Sequence, residues 1–509
     1  MAESYLDILA DTIRKNWNQP ALTDFYLTED GISQDTSRGN HYTYGEMYAE
    51  ICRVAELLTN FGLQKGDHIA ICGANSSHWV IAYLAIAKIQ GVSVTVMHSL
   101  QPDQIAQMVD FSDAKALFTN KELWVELQGQ SLSQVQSIIA LETWEILRGK
   151  KVEILNRKSL IDNQECGFPQ SAPDDLAMIC FTSGTTSKPK GVALLQKNIS
   201  ASIGCVSAVY KVSDNLNMFL NLPLGHLVSV IGELLTPLVQ GCCIYINKGN
   251  YSIDFYIQSV ELIKPFEIVC VPLILKKLFS TQYVKRVHGF NSFLEYLVVG
   301  CAVVSNELEK TAQKLHLPIT IGYGMTETCA LIAQIPPQQF MANSCGKVCE
   351  TLTTRISPAG EILVKGENVM LGYYKDPEAT ARKIDADGWL HTGDKGHLDE
   401  DGYLYVEGRL EQDMIVLPNG ENIRPDNIES LINALPEVSE SIVFARDGKL
   451  VAIAVLSSPS LQGRDRVRLS ILRAVNPQLP LFSQLYDVEI TDVPLQRTEK
   501  QTLKRYLYK

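Results

Sequence analysis

Along most of the chain the hydrophobic pattern alternates between two periods. Short apolar runs bounded by turn residues, His68 to Cys72, Ser93 to Met97, Ala116 to Thr119 and Leu176 to Phe181, read as buried strands. Between them, helical spacing over Tyr5, Ile8, Leu9 and Ile13, then from Tyr42 to about Phe61, His78 to Ile89 and onward from Pro102, predicts helices. A second series follows: a helix from about Asn198, a strand from Asn217 to Asn221, an apolar helix from Leu227 to Val239, and further strands at Gly241 to Ile246, Glu267 to Val271 and Tyr296 to Val299. Such alternation predicts an α/β fold, β-α-β layers with parallel sheets covered by helices. Thr28 to Asn40 reads as a polar loop, and residues 120 to 170 are weakly patterned. From Gly346 the spacing changes to short strands and turns, including Gly360 to Lys365 and Gly372-Tyr-Tyr-Lys-Asp-Pro377, which predicts a small antiparallel β subdomain over about 346–410. The boundary falls near Gly408-Arg-Leu-Glu-Gln412, giving a large domain over 1–410 and a small α+β domain over 411–509.

At 509 residues the chain exceeds what one core supports. Its net charge of -12 argues against nucleic-acid or anionic-membrane partners, whose attraction rests on clustered Lys and Arg. The twelve cysteines are scattered through apolar runs without paired C-x-x-C sets, as expected of small buried hydrophobes in a reducing cytoplasm. The acidic amino-terminal residues do not read as a secretion signal, and no apolar stretch reaches the length of a transmembrane segment; a cytoplasmic location is expected.

The candidate chemistry lies in loops. Between two apolar runs stands Cys180-Phe-Thr-Ser-Gly-Thr-Thr-Ser-Lys-Pro-Lys-Gly-Val-Ala193. Gly184 and Gly191 allow close backbone approach, Thr182, Ser183, Thr185 and Thr186 offer hydroxyls beside backbone N–H groups, and Lys188 and Lys190 add positive charge, a combination suited to a polyphosphate. The Walker pattern is absent, because Val192 follows Gly191. Further on, Ile321-Gly-Tyr-Gly-Met-Thr-Glu-Thr328 sets glycines on both sides of Tyr323, so that its ring can stack on a purine; Thr326 can bond an α-phosphate, and Glu327 offers Mg²⁺ a hard oxygen.

These two motifs closely resemble signatures of the adenylate-forming superfamily, which includes acyl-CoA synthetases, peptide-synthetase adenylation domains and luciferases; in the first, Ser187 replaces one glycine. The resemblance spans essentially the whole chain and implies more sites. Gly300-Cys-Ala302 is similar to the turn that approaches the adenine and the acyl group, with Cys301 adding bulk. His226 takes the place of the gate to the acyl pocket, Asp394 that of the carboxylate accepting both ribose hydroxyls, and Arg409 that of the arginine bracing ribose and phosphate. Residues 411–509 become a mobile lid hinged at Glu411, with Gly420 in the loop that meets the thiol arm of coenzyme A. The tail departs from the family pattern: Gln501 and Thr502 stand at the places of its glycine and lysine, and Lys500, two residues earlier, is the candidate cation.

The resemblance implies a ligase that uses ATP, Mg²⁺ and coenzyme A to activate a small-molecule carboxylic acid as acyl-AMP and pass it to a thiol. No aspartate stands among Leu227 to Ile231, where amino-acid-activating relatives usually carry one, so a medium- or long-chain fatty acid is expected. Two alternatives are an acyl-AMP ligase that loads an acyl carrier protein and an adenylate-binding homologue without catalysis.

Overall fold

The computed structural model describes residues 4–28, 31–33, 40–151, 163–182, 190–210, 215–248, 252–300, 304, 306–409, 415–418, 421–423, 425–457, 463–496 and 507–508. The chain divides into two compact units. The larger comprises Met1–Thr182, Lys190–Thr392 and Gly396–Glu407; the smaller is built on Gly408–Lys509 and includes Gly393–Lys395.

The larger unit carries two extended mixed sheets. In the first, the strands run in the order Gly372–Tyr373, Gly191–Leu195, Leu176–Phe181, Val92–Thr95, His68–Cys72, Ala116–Thr119, Ser137–Ala140 and Ile146–Arg148. Its centre is parallel, with Ile69 to Ile71 paired on one side to Ser93 to Thr95 and on the other to Ala116 to Phe118. Strands covered on both faces carry continuous rather than alternating apolar runs, which is why they stand out in the sequence. The second sheet orders Lys347–Val348, Ala333–Gln334, Ile319–Tyr323, Tyr296–Val299, Glu267–Cys270, Asn217–Leu220, Cys243–Asn247, Pro20–Thr28 and Gly31–Ser33.

One core cluster joins residues of both sheets, such as Ile69, Ile71, Ile244 and Val269, through the helices Tyr5–Lys15, Tyr44–Asn60 and Ser77–Lys88. The last of these is buried on every side from Ser77 to Ala87, as its uniform hydrophobicity requires. Ser76 caps its first turn by accepting from Trp79 N, and Thr43 and Glu46 form a reciprocal capping box at the start of Tyr44–Asn60. A separate four-stranded sheet follows, in the order Leu352–Ile356, Glu361–Gly366, Leu390–Leu398 and Leu404–Arg409.

Three expectations are corrected. Part of the segment read as a polar loop is a strand, with Gly31–Ser33 pairing to Tyr26–Thr28. Residues 120 to 170 include a helix, Lys121–Leu127, and strands at Ser137–Ala140 and Ile146–Arg148. Gly372–Tyr373 does not belong to the small β sheet; it pairs with Val192 and Ala193 in the first large sheet. Two residues carry too little local pattern to reveal a partner so distant in the chain.

The smaller unit has its own apolar core. Strands Val438–Arg446 and Lys449–Leu456 form a hairpin, Asp487–Thr491 pairs parallel to the second, and helices Pro425–Asn433 and Arg464–Val475 complete the α+β unit. Among the described residues no helix is long and apolar enough to cross a membrane.

Candidate active site in the larger unit

The strands Leu176–Phe181 and Gly191–Leu195 are antiparallel, and Thr182 N donates to Lys190 O at 3.2 Å, so the ends of the phosphate-loop motif are held side by side. The loop between them, with Ser183, Gly184, Thr185 and Thr186, lies outside the described residues. Thr182 is half-buried, and its hydroxyl makes no hydrogen bond with the described residues.

The second motif sits at the carboxyl end of a parallel strand, the usual location of ligands in open α/β sheets. Cys270, Val299 and Ile321 stand in register on three adjacent parallel strands. Gly300 continues the middle one, and a Cβ added to it would stand at an ordinary 3.5 Å from Gly322 O; one added to Gly322 would meet nothing nearer than Leu331 Cδ1 at 3.9 Å. Packing among the described residues therefore does not require glycine at either place. Cys301 and Ala302 lie outside the described residues.

Gly324 is different. The chain folds back so tightly that a Cβ there would come within 2.0 Å of Ala330 O, and Cys329 and Ala330 both take positive φ, 50° and 79°. Strained backbone of this kind persists where the surroundings over-determine it. Ser202 Oγ donates to Cys329 O, Met370 N to Glu327 O at 2.9 Å, and Ile332 N to Tyr323 O at 2.7 Å. The turn thus presents Glu327, only 7% exposed, beside a half-buried Thr326 whose hydroxyl makes no hydrogen bond with the described residues.

Tyr373, absent from the site residues expected from sequence, joins the two motifs. Its hydroxyl donates to Glu327 Oε1 at 2.6 Å, and the Lys190 ammonium lies 5.2 Å from the centre of its ring. Its place opposite Val192 makes this possible. Glu327 Oε2 has no hydrogen bond among the described residues.

His226 follows the turn Pro223-Leu-Gly, where a Cβ on Gly225 would strike Met97 Sδ at 2.5 Å, and Gly225 O lies 3.8 Å from Cys180 Sγ on the strand that enters the phosphate loop. The gate candidate therefore directly follows a residue that packs against that strand. Desolvation holds its imidazole below the usual histidine range, and the ring has no hydrogen bond with the described residues. The following stretch is a π-helix, Ser229–Leu235, extended by Thr236–Val239. It buries Leu227, Val230, Ile231, Leu234 and Leu235. It also buries an acid unforeseen from sequence. Glu233 accepts from Leu222 N at 3.0 Å, Asn221 N at 3.3 Å and Ser229 Oγ at 2.8 Å, fixing the backbone that leads to His226, and burial pushes its carboxyl up to about 8.

Asp394, on the strand Leu390–Leu398, and Arg409, which ends the strand Leu404–Arg409, fall in the smaller unit. Glu411, Gly420 and Lys500 lie outside the described residues. Among those described, no group of three or more His, Cys, Asp or Glu is placed to hold a metal. A single buried carboxylate with one uncommitted oxygen fits Mg²⁺, which keeps water and phosphate oxygens for its remaining positions.

Residues 9–374 match the model of the AMP-binding enzyme family, and residues 412–508 that of the AMP-binding enzyme C-terminal domain. The chain belongs to the AMP-binding enzyme family. This AMP-binding enzyme is 27% identical over 472 residues to 4-coumarate–CoA ligase 2 of Solanum tuberosum, covering 87% of this chain and 84% of that one. It is also 27% identical over 478 residues to the crotonobetaine/carnitine–CoA ligase of Escherichia fergusonii, covering 87% and 89%. Among solved structures, an o-succinylbenzoate CoA synthetase from Bacillus subtilis shares the fold, with a TM-score of 0.79 at 24% identity over 100% of this chain and 99% of that one. Acid–CoA ligases of this family use ATP, Mg²⁺ and coenzyme A.

Proposed function

We propose that the protein is an AMP-forming acid–coenzyme A ligase whose acid is an apolar monocarboxylate, a medium- or long-chain fatty acid. The observation that carries this reading is the link from Lys190 through Tyr373 to Glu327, which unites a phosphate loop with a candidate Mg²⁺ carboxylate. A carboxylate is a poor electrophile because its leaving group would be an oxide. Its attack on the α-phosphorus of ATP expels pyrophosphate and makes AMP the leaving group, and the coenzyme A thiol then displaces AMP. Thr182, Ser183, Gly184, Thr185, Thr186 and Lys190 receive the departing pyrophosphate, and Thr326 the α-phosphate. Glu327 would hold Mg²⁺, which offsets the charge on the phosphates when bound. Tyr323, flanked by Gly322 and Gly324, and Gly300 to Ala302 take the adenine; Asp394 and Arg409 take the ribose. Lys500 supplies the cation for adenylation, and Gly420 meets the coenzyme A arm after the lid turns about Glu411.

The buried apolar side chains after His226 support an apolar acid, and the neutral imidazole there adds no charge to repel or attract one. An aryl acid is the second reading, favoured by the relatives named 4-coumarate–CoA ligases. A panel of acids assayed for pyrophosphate release separates the two: fatty acids ahead of hydroxycinnamates support the first, and the reverse order supports the second. Transfer to a phosphopantetheinyl carrier with coenzyme A inert would replace the acceptor, and ATP binding without acid-dependent pyrophosphate release would remove the ligase.

A further inference from the structure

The helix Gln196–Val209 continues directly from the strand Gly191–Leu195 that leaves the phosphate loop. It carries two fully buried polar side chains one turn apart, Asn198 and Ser202. Asn198 stands in the first turn. Its Oδ1 accepts from Leu195 N at 2.7 Å, and its amide donates to Glu367 O at 2.6 Å and to Val369 O at 2.9 Å. Asparagine supplies one acceptor and two donors on a short stem; ionised aspartate lacks the donors, and serine has a single proton. Ser202 Oγ donates to Cys329 O, on a residue of positive φ in the Glu327 turn.

The residues that Asn198 holds begin the segment that fixes Glu327. Met370 N donates to Glu327 O at 2.9 Å and the Tyr373 hydroxyl to Glu327 Oε1 at 2.6 Å, so one stretch grips both the backbone and the carboxylate of that residue. The same stretch is laid along the strand that leaves the phosphate loop: Leu371 N donates to Ala193 O at 2.9 Å, and Tyr374 N to Gly191 O at 2.7 Å. Those bonds fix its far end, and Asn198 fixes its near end. Ser202 holds the turn on the other side of the carboxylate, at Cys329. Because both side chains are fully buried, solvent does not take over a bond that either one loses.

We infer that Asn198 and Ser202 are positioning residues: they set the Glu327 carboxylate at a fixed distance from the phosphate loop, so that the carboxylate and the phosphates of ATP reach the same Mg²⁺. They act through the backbone around Glu327 and through the segment 367–370, not by contact with the nucleotide. The inference rests on the assignment of Glu327 to Mg²⁺ under the proposed function, and it is independent of which acid is activated.

The test measures binding, with no acid present. The full-length protein is dialysed against labelled ATP with and without Mg²⁺, and the ratio of the two dissociation constants is the gain due to Mg²⁺. Glu327→Gln is expected to abolish most of that gain. Ser202→Ala removes one hydroxyl at nearly constant volume and is expected to lower the gain about threefold, since a neutral hydrogen bond is worth about two- to tenfold in an equilibrium. Asn198→Asp keeps the bond from Leu195 N, loses the amide donors, and is expected to lower the gain about tenfold. ATP affinity without Mg²⁺ should stay within about twofold in both variants, and in the Glu327→Gln background Ser202→Ala should change nothing further. A gain kept in full by Ser202→Ala, or an ATP affinity that falls equally with and without Mg²⁺, overturns the inference; Ser202→Ala decides it where Asn198→Asp does not fold. If Glu327→Gln itself keeps the gain, the metal assignment fails and the inference falls with it. The expected pattern of gains in a protein that releases no pyrophosphate with any acid supports the inference and removes the ligase.

Discussion

Replacing Tyr373 by Phe removes one hydroxyl and keeps the ring that faces Lys190. The lost bond, 2.6 Å to a carboxylate only 7% exposed, is charge-assisted. Such bonds are worth about 1.5–3 kcal/mol, which corresponds to about 10- to 150-fold in rate. Because Tyr373 is itself half-buried and water can partly replace its hydroxyl, the lower end applies: Tyr373→Phe should reduce kcat/KM for acid-dependent pyrophosphate release about tenfold. If Tyr373 acts by orienting Glu327, the half-saturating Mg²⁺ concentration should also rise while the thermal midpoint stays within a few degrees. Glu327→Gln supplies the control. A neutral bond to an amide is worth about 0.5–1.5 kcal/mol, so in that background Tyr373→Phe should cost only about threefold. Equal losses in both backgrounds would show that Tyr373 works independently of Glu327. No loss in either would refute the account of this contact.

Further outcomes follow from the same structure. Gly324→Ala forces a methyl to within 2.0 Å of Ala330 O, so a destabilisation of about 1–3 kcal/mol is expected in a denaturant titration, with pyrophosphate release falling about a hundredfold as the turn shifts; near-normal values for both would show that the turn opens freely. Glu267 is held by burial at a pKa of about 8, against 4.5 as the ordinary value, with the Tyr210 hydroxyl opposing the shift and the Glu233 charge adding to it. The folded protein then binds more protons than the unfolded chain between these values, so this group's contribution to stability is full below pH 4.5 and declines as pH rises to about 8, by at most ~1.4 kcal/mol per pH unit. Glu267→Gln, which stays neutral, should flatten that decline in urea midpoints measured at pH 5.5 and 8; the same slope in both proteins would contradict a neutral Glu267. Lys500→Ala should slow adenylation by about 10²- to 10³-fold while sparing thioester formation from supplied acyl-AMP, and equal loss of both steps would remove Lys500 from its assigned role.

Much of this was legible in the sequence for a physical reason. Strands buried on both faces, such as Leu176–Phe181 and Tyr296–Val299, need apolar side chains throughout; Thr182 directly follows the first, while Tyr323 ends the strand Ile319–Tyr323 and Glu327 stands in the turn after it. What escaped depends on contacts between distant segments. Tyr373 meets Glu327 only because its two-residue strand pairs with Val192, and no local period announces so short a strand. Glu233 was hidden because the helix around it has π rather than α spacing, so a carboxyl that turns back to the strand end at Asn221 is out of phase with the apolar face.

The most direct test of the adenylation proposal follows the acid's own oxygen. The protein is incubated with ATP, Mg²⁺, coenzyme A and a fatty acid carrying ¹⁸O in both carboxylate positions, and the AMP is analysed by mass spectrometry. Attack of the carboxylate on the α-phosphorus, followed by thiol displacement at carbon, predicts AMP bearing a single ¹⁸O and an acyl-CoA retaining the other. Acyl-CoA formed with unlabelled AMP, or with ADP and phosphate as the nucleotide products, would contradict it.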